Sequence, residues 1–313
     1  VVLCYPRALR IDAHNNALGL ATNQIDTRNL PPAERYLRII RDLSGGDPIY
    51  GVMRTAAMHK VDVTTLWAGD QARLVALSLA GAFAHIPEPL FYWRQIRDES
   101  LEFRKKTVPL TIDPVGGQRL LDKESPELWR EFGEECLAQV RASSLSEADK
   151  ERLVQETKII FTRRYGVKWP ADTTVAEVNQ EAKTIGGPVI LEPAAAPSPE
   201  DPPLVSVIVS TKNHPDMLMT ALQSVLSQTY QHYEIIVVND GGRGVNPMAG
   251  WINQQGNITY VRHDRPRGLA AARNTGLKLS RGKYLAYLND DEILYPDHLE
   301  TLVTLSSEGN GII

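Results

Sequence analysis

The chain has 313 residues, 42% of them apolar and 23% charged, with a formal net charge of −4. That length accommodates about two domains at roughly 100–200 residues each, and the totals exclude both a polar disordered chain and the basic excess of a nucleic-acid binder. Two cysteines, Cys4 and Cys136, argue against a disulfide framework and suit a reducing compartment. No apolar run approaches the roughly 18–20 residues that cross a bilayer, and no signal-peptide pattern opens the chain. The start "VVLCYPRALRID" and the end "EGNGII" read as cuts through structure, so a piece of a longer polypeptide is expected.

Residues 1–12 read as strand, with a turn at "HNN", residues 14–16. Residues 31–43, "PPAERYLRIIRDL", predict a helix with Tyr36, Ile39, Ile40 and Leu43 on one side. Residues 67–81, "WAGDQARLVALSLAG", predict another, with Leu74, Leu77 and Gly81 on one face. "AFAHIPEPLFYWRQ", residues 82–95, reads as two short strands separated by Pro87 and Pro89. Residues 125–165 read as two helices. The first starts at Ser125-Pro126, and Ser146 with Asp149 has the spacing of a capping box for the second. The Pro-rich stretch in 191–203 reads as an extended linker and a domain boundary.

From Leu204 onward strands and helices alternate. "LVSVIVST" (204–211), "YEIIVVND" (233–240), "NITYVRH" (257–263) and "KYLAYLND" (283–290) read as strands. The helix after the first carries Leu218, Leu222, Val225 and Leu226, with Asn213 as its expected cap, and "GLAAARNTGLKLSRG" (268–282) reads as a second helix. This alternation predicts an α/β fold with a mostly parallel sheet. Polar residues collect where those strands end: Ser210, Thr211 and Asn213, then Asn239 and Asp240, then Asn289, Asp290, Asp291 and Glu292. Parallel strands would bring them to one rim, where open α/β sheets bind ligands. Three consecutive acids repel unless water or a divalent cation separates them. Neither G-x-G-x-x-G nor a P-loop follows the first strand, so a phosphate held here would be bridged by metal.

"VSVIVSTKN", "LQSVLSQTYQHYEIIVVNDGG" and "RGLAAARNTGLKLSRGKYLAYLNDDEILYPDHLE" resemble the nucleotide-sugar half of family 2 glycosyltransferases, inverting enzymes of the GT-A fold. The resemblance covers 204–313. It implies that Ser210 and Thr211 line the nucleotide pocket, that Asp240 bonds the base, usually uracil, and that Arg273 borders the donor. It also implies that Asp290 and Asp291 form the acid pair reaching ribose and metal, with Asp291 as direct ligand of Mn²⁺ or Mg²⁺. Lys212 stands where an aromatic is common, and Asn239 and Asn289 replace frequent aspartates. "DPIYGVMRTAAM" and "WAGDQARLVALSLAGAFAHIPEPLFYWRQIRDES" resemble the acceptor-side half, which implies Asp70 as general base and Arg94, with Gln95 or Arg97, near the diphosphate.

The resemblance therefore predicts two GT-A halves in reversed order: 1–105 acceptor-side, 106–190 a helical extension, 191–203 a linker and 204–313 nucleotide-sugar-binding. The halves are expected to come from a tandem enzyme and to be able to dock as one composite unit. The partners implied are a UDP-sugar and a glycan or lipid-linked acceptor, with no nucleic acid. The expected location is the cytoplasm, including the inner membrane face. Two other readings stand beside this one: a sugar-nucleotide-binding module without turnover, and a receiver-like phosphoacceptor domain. For single residues, Asp70 also reads as a helix N-cap, Arg273 as a helix-surface residue, and His214 and His263 as solvated loop residues. Trp67, Trp93 and Trp129 read as packing residues.

Overall fold

The structure is a computed structural model describing residues 1–61, 68–95, 125–170, 189–190, 205–242, 251–252 and 254–308. The expected linker, Trp67, Arg97 and residues 106–124 lie outside the described residues. The N-terminal part contains β1 (Leu3–Ile11), β2 (Ala17–Leu20), α1 (Pro32–Asp42), a 3₁₀ turn (Asp47–Tyr50), β3 (Val52–Arg54), α2 (Thr55–Met58), α3 (Gly69–Ala80) and β4 (Phe83–Arg94). Helices α4 (Ser125–Ala142) and α5 (Glu147–Tyr165) follow, then the short β5 (Val189–Ile190). The C-terminal part contains β6 (Val205–Thr211), α6 (Pro215–Leu226), β7 (Tyr233–Asn239), β8 (Ile258–Arg262), α7 (Leu269–Leu279), β9 (Tyr284–Asn289), β10 (Ile293–Leu294) and α8 (His298–Glu308).

One sheet runs through both parts in the order β10-β4-β1-β3-β9-β6-β7-β8-β5, with β2 attached to β1. Its long ladders are parallel: β6 with β7 and with β9, β7 with β8, and β1 with β4. The seam is antiparallel and short, pairing Val52 with Ala286, Met53 with Leu285 and Arg54 with Tyr284. Thr55 Oγ1 reinforces it by donating 2.7 Å to the Gly282 carbonyl. A second junction pairs Ile293 with Tyr92 and Leu294 with Phe91.

These two junctions dictate the shape. Strands β9 and β10 are separated in sequence only by Asp290, Asp291 and Glu292. Yet β3, β1 and β4 lie between them in the sheet. Four flat strand spacings would cover about 19 Å, whereas the connection reaches at most about 14 Å. The sheet must curl until the end of β4 returns beside the end of β9. Arg94, the last residue of β4, accordingly donates from Nε to the Asp291 carbonyl at 3.1 Å.

The central strands β6 and β7 are buried along their whole length, as expected for parallel strands covered on both faces. Helix α7 packs on β6 and β7, and α6 on β6, β9 and β10. Gly276 permits the first contact, because a Cβ there would lie 2.4 Å from Ile208 Cγ2. Helix α8 covers β1 and β3. Helices α4 and α5 pack against α3 and α1, with Tyr36 Oη 2.9 Å from Thr157 Oγ1 in a buried hydrogen bond. The capping box at Ser146 is present, the Asp149 amide donating to Ser146 Oγ at 3.1 Å.

Two expectations change. Residues 83–94 form one strand and not two. Register shifts on β1 at Pro6/Arg7 and Arg7/Ala8 face Pro87–Pro89, and bulges of this kind absorb prolines that cannot donate to a ladder. Asn213 is not the cap of α6. It adopts a left-handed backbone with φ 65°, and His214 takes the cap position without a side-chain cap bond.

Gly51 joins the 3₁₀ turn to β3, and a Cβ there would lie 2.3 Å from the Cys4 carbonyl oxygen and 2.6 Å from Tyr5 Cβ. Gly51→Ala should therefore destabilise by about 1–3 kcal/mol, read as a lower denaturant midpoint with an unchanged slope. His298 opens α8 fully buried, its Nδ1 2.9 Å from the Leu90 carbonyl, and burial lowers its pKa from 6.5 to about 4. Between those values the unfolded chain binds the proton and the folded chain does not. The wild type should thus lose stability relative to His298→Asn as pH falls from 6.5 to about 4, by up to ~1.4 kcal/mol per pH unit. Paired urea melts across that range measure it.

Candidate functional site

Strand β6 ends in Ser210 and Thr211, and it pairs in parallel with β7, ending at Asn239, and β9, ending at Asn289. Their carboxyl ends share a rim around a cavity of ≈ 470 Å³. Ser210, Thr211, Asp240, Asp290 and Asp291 all line it. The curled sheet adds a wall from the N-terminal part, made of Tyr50, Trp93, Arg94 and Gln95.

The acids occupy different environments. Asp240 is buried and accepts from His263 Nδ1 at 2.8 Å and from the amides of Arg267 at 2.8 Å and Gly268 at 2.7 Å. Burial alone would raise its pKa, but these donors hold it below the usual carboxylate range. Asp290 Oδ2 accepts from Thr211 Oγ1 at 2.7 Å and the Lys212 amide at 3.3 Å, and His214 Nδ1 lies 3.4 Å away. Burial, with Asp291 beside it, pushes Asp290 above the ordinary range. Glu292 is buried, accepts from the Asn289 amide at 3.1 Å, and is raised further by burial and by Asp291. The run of three acids is thus separated by partners: two turn inward, and Asp291 remains half-buried on the cavity wall. Ser210 Oγ, also on that wall, is buried and has no hydrogen-bond partner among the described residues.

Arg273 is fully buried and not a helix-surface residue. Its Nη1 donates to Asp70 Oδ1 and its Nη2 to Asn289 Oδ1 at 3.4 Å. Its guanidinium lies 5.0 Å from the Tyr287 ring centroid and 5.6 Å from that of Tyr50. Burial works against the charge, and Asp70 outweighs it, holding the arginine pKa above its ordinary value. Asp70 stands in the first turn of α3 but is not its N-cap, a position held by Ala68. Its side chain is 29% exposed, and neither it nor Arg273 lines the cavity. Arg94 does, anchored from Nη1 to the Asp12 carbonyl at 3.0 Å as well as to Asp291.

Sequence reasoning missed three participants. His263 is buried between Asp240 and Thr275 Oγ1, 2.9 Å from Nε2, and is not a solvated loop residue. Its place directly after β8 was the available signal. Glu292 and Tyr50 meet through Asn289, whose Nδ2 donates to Tyr50 Oη at 2.7 Å. Nothing in "DPIY" marks Tyr50 as polar-facing.

The strands that form this rim fall within a segment matched by sequence comparison. Residues 206–313 match the family described as Glycosyl transferase family 2, a similarity confined to the C-terminal part. An uncharacterized glycosyltransferase of Rickettsia bellii is 35% identical over 109 residues, covering 34% of this chain and 16% of the relative. The uncharacterized glycosyltransferase YibD of Escherichia coli is 35% identical over 106 residues, 33% of this chain and 30% of the relative. The chain therefore spans less than a third of either. Solved structures similar to it include S. aureus TarS in complex with UDP-GlcNAc, at 21% identity and TM-score 0.31, covering 33% of this chain and 31% of that one. Another is the mannosyltransferase PcManGT from Pyrobaculum calidifontis in complex with GDP-Man and Mn²⁺, at 26% identity and TM-score 0.30, covering 37% and 36%.

Removing Asp70 leaves the Arg273 charge buried without its carboxylate. Asp70→Ala should lose about 3–5 kcal/mol of stability, and Asp70→Asn, which keeps an acceptor, should lose less. Urea denaturation followed by circular dichroism compares the two.

Proposed function

We propose that this chain binds a nucleoside diphosphate sugar, UDP-sugars foremost, in the rim cavity and transfers the sugar with inversion to a hydroxyl of a glycan or lipid-linked acceptor. The observation carrying this reading is that Ser210, Asp240, Asp290 and Asp291, from the ends of three adjacent strands, line one cavity. Ser210 Oγ offers a hydrogen bond there that no described residue uses. Asp240 already accepts three hydrogen bonds, leaving about one of its roughly four acceptor directions for a base N–H. Thr211 and the Lys212 amide orient Asp290 toward the ribose side of the donor.

The donor set fits a divalent cation whose shell the substrate completes. Asp291 and Asp290 present hard oxygen ligands at the cavity, and no three His, Cys, Asp or Glu side chains form a full cage among the described residues. Mg²⁺ is usually held by one or two carboxylates plus substrate phosphates. Asp291 would hold the ion directly, and a bound ion there supplies charge neutralisation for the departing diphosphate. Arg94, fixed by two carbonyls at the same wall, shares the diphosphate charge.

In this reading Asp70 takes the proton of the acceptor hydroxyl, a general-base role that typically contributes about 10²–10⁴-fold. Arg273 fixes the direction of Asp70. Among the described residues no helix is long and apolar enough to cross a membrane. A second reading, binding without turnover, is favoured by one observation: Asp70 is committed to Arg273 and lies off the cavity lining.

Calorimetry with UDP, with and without Mn²⁺, alongside transfer and hydrolysis assays on a UDP-sugar panel, separates these readings. The proposed function expects UDP binding that Mn²⁺ strengthens, loss of that strengthening in Asp291→Ala, and turnover that Asp70→Asn lowers by about 10²-fold or more. Tight binding with no turnover of any donor supports the second reading. Absence of UDP binding defeats both.

A further inference from the structure

We propose that Tyr50, a residue outside the family 2 segment, is a positioning residue that fixes the Asp290–Asp291 turn for the donor and its cation. The inference rests on the donor-site reading above. Tyr50 is 7% exposed, and it reaches the cavity from the 3₁₀ turn of the N-terminal part. Its hydroxyl accepts from Asn289 Nδ2 at 2.7 Å, and the Glu292 carboxyl lies close enough to act on it electrostatically. Asn289 immediately precedes the acid pair and Glu292 immediately follows it. Glu292 closes the circuit by accepting from the Asn289 amide at 3.1 Å. The phenol hydroxyl therefore holds Asn289, and Asn289 in turn ties together both ends of the two-residue segment that carries Asp290 and Asp291.

The phenol is itself held in place. Its ring sits 5.4 Å from Phe91 at 46°, and the Arg273 guanidinium lies over it at 5.6 Å. The turn beneath it is closed by the Ile49 amide bonding to the Gly46 carbonyl at 2.9 Å and by the buried Asn23–Asp47 hydrogen bond. Tyr50 bonds to Asn289, which flanks the pair, and so acts through that residue. Partners of this kind commonly alter metal affinity by about 10–100-fold. Packing alone would need only the ring; the bond from Asn289 assigns the hydroxyl a separate role.

The test uses the full chain and Tyr50→Phe, which keeps the ring contacts with Phe91 and Arg273. Melting curves establish that the variant is folded. Mn²⁺ affinity at saturating UDP is read by the paramagnetic resonance of free Mn²⁺, and UDP affinity without metal by calorimetry. The expected result is a Mn²⁺ affinity about tenfold weaker with metal-free UDP affinity unchanged. An unchanged Mn²⁺ affinity overturns the inference, and so does an equal weakening of UDP binding without metal, which would mark a general packing defect. A wild type that binds neither UDP nor Mn²⁺ removes the donor-site reading and this inference with it, whereas a wild type that binds both and a variant that matches it removes only the inference.

Discussion

The architecture depends on a connection that is too short for a flat sheet. Asp290, Asp291 and Glu292 alone link β9 to β10, while three strands from the other end of the chain stand between them. The backbone can span that gap only if the sheet rolls up. Rolling places the end of β4 against the acid turn, which is why Arg94 meets the Asp291 carbonyl and why Trp93 and Tyr50 face Ser210 across one cavity. The concavity is thus a geometric result of chain connectivity, and the residues that supply its chemistry are those at the point of closure.

Charge is managed there by unequal burial. Four acids lie on or beside the cavity, and their repulsion is relieved in four different ways. Asp240 accepts hydrogen bonds from His263 and two amides, Asp290 from a hydroxyl and an amide, and Glu292 is buried and accepts from the Asn289 amide. Asp291 is left half-buried where a cation would be most strongly drawn. Below the floor, Arg273 and Asp70 form a pair whose separation would strand a fully buried guanidinium. Such pairs contribute little net stability against apolar packing, yet are costly to break. The pair fastens α3 of the N-terminal part to α7 of the C-terminal part, so it acts as a cross-part tether whatever its catalytic role.

Most of the elements were legible because local pattern decides them. The continuous apolar runs of β6, β7 and β9, the heptad-like face of α1 and the Ser146 cap are written in consecutive residues, and the polar strand ends could be placed on a rim by the parallel rule alone. What stayed hidden was set by distant partners. Nothing near Tyr50 announces Asn289 and Glu292, and nothing near Arg273 announces Asp70, 203 residues away. His263 looked like a loop residue because its burial comes from Asp240 and Thr275, two separate elements. The reading of β4 as two strands failed for a related reason: prolines break a strand by local rules, but bulges in the β1–β4 ladder accommodate them.

The seam between β3 and β9 has a bearing on how the chain comes to be made. Thr55 waits for a partner at Gly282, 227 residues later, and at about 5–20 residues per second of synthesis that is a delay of roughly 10–45 s. During it the hydrogen-bonding groups of β3 have no neighbour on that side. Only three residues long and ending in an arginine that already grips the Val1 carbonyl at 2.7 Å, β3 presents little for another nascent chain to pair with. Brevity at the seam thus protects the growing polypeptide, at the cost of a late and entropically demanding closure.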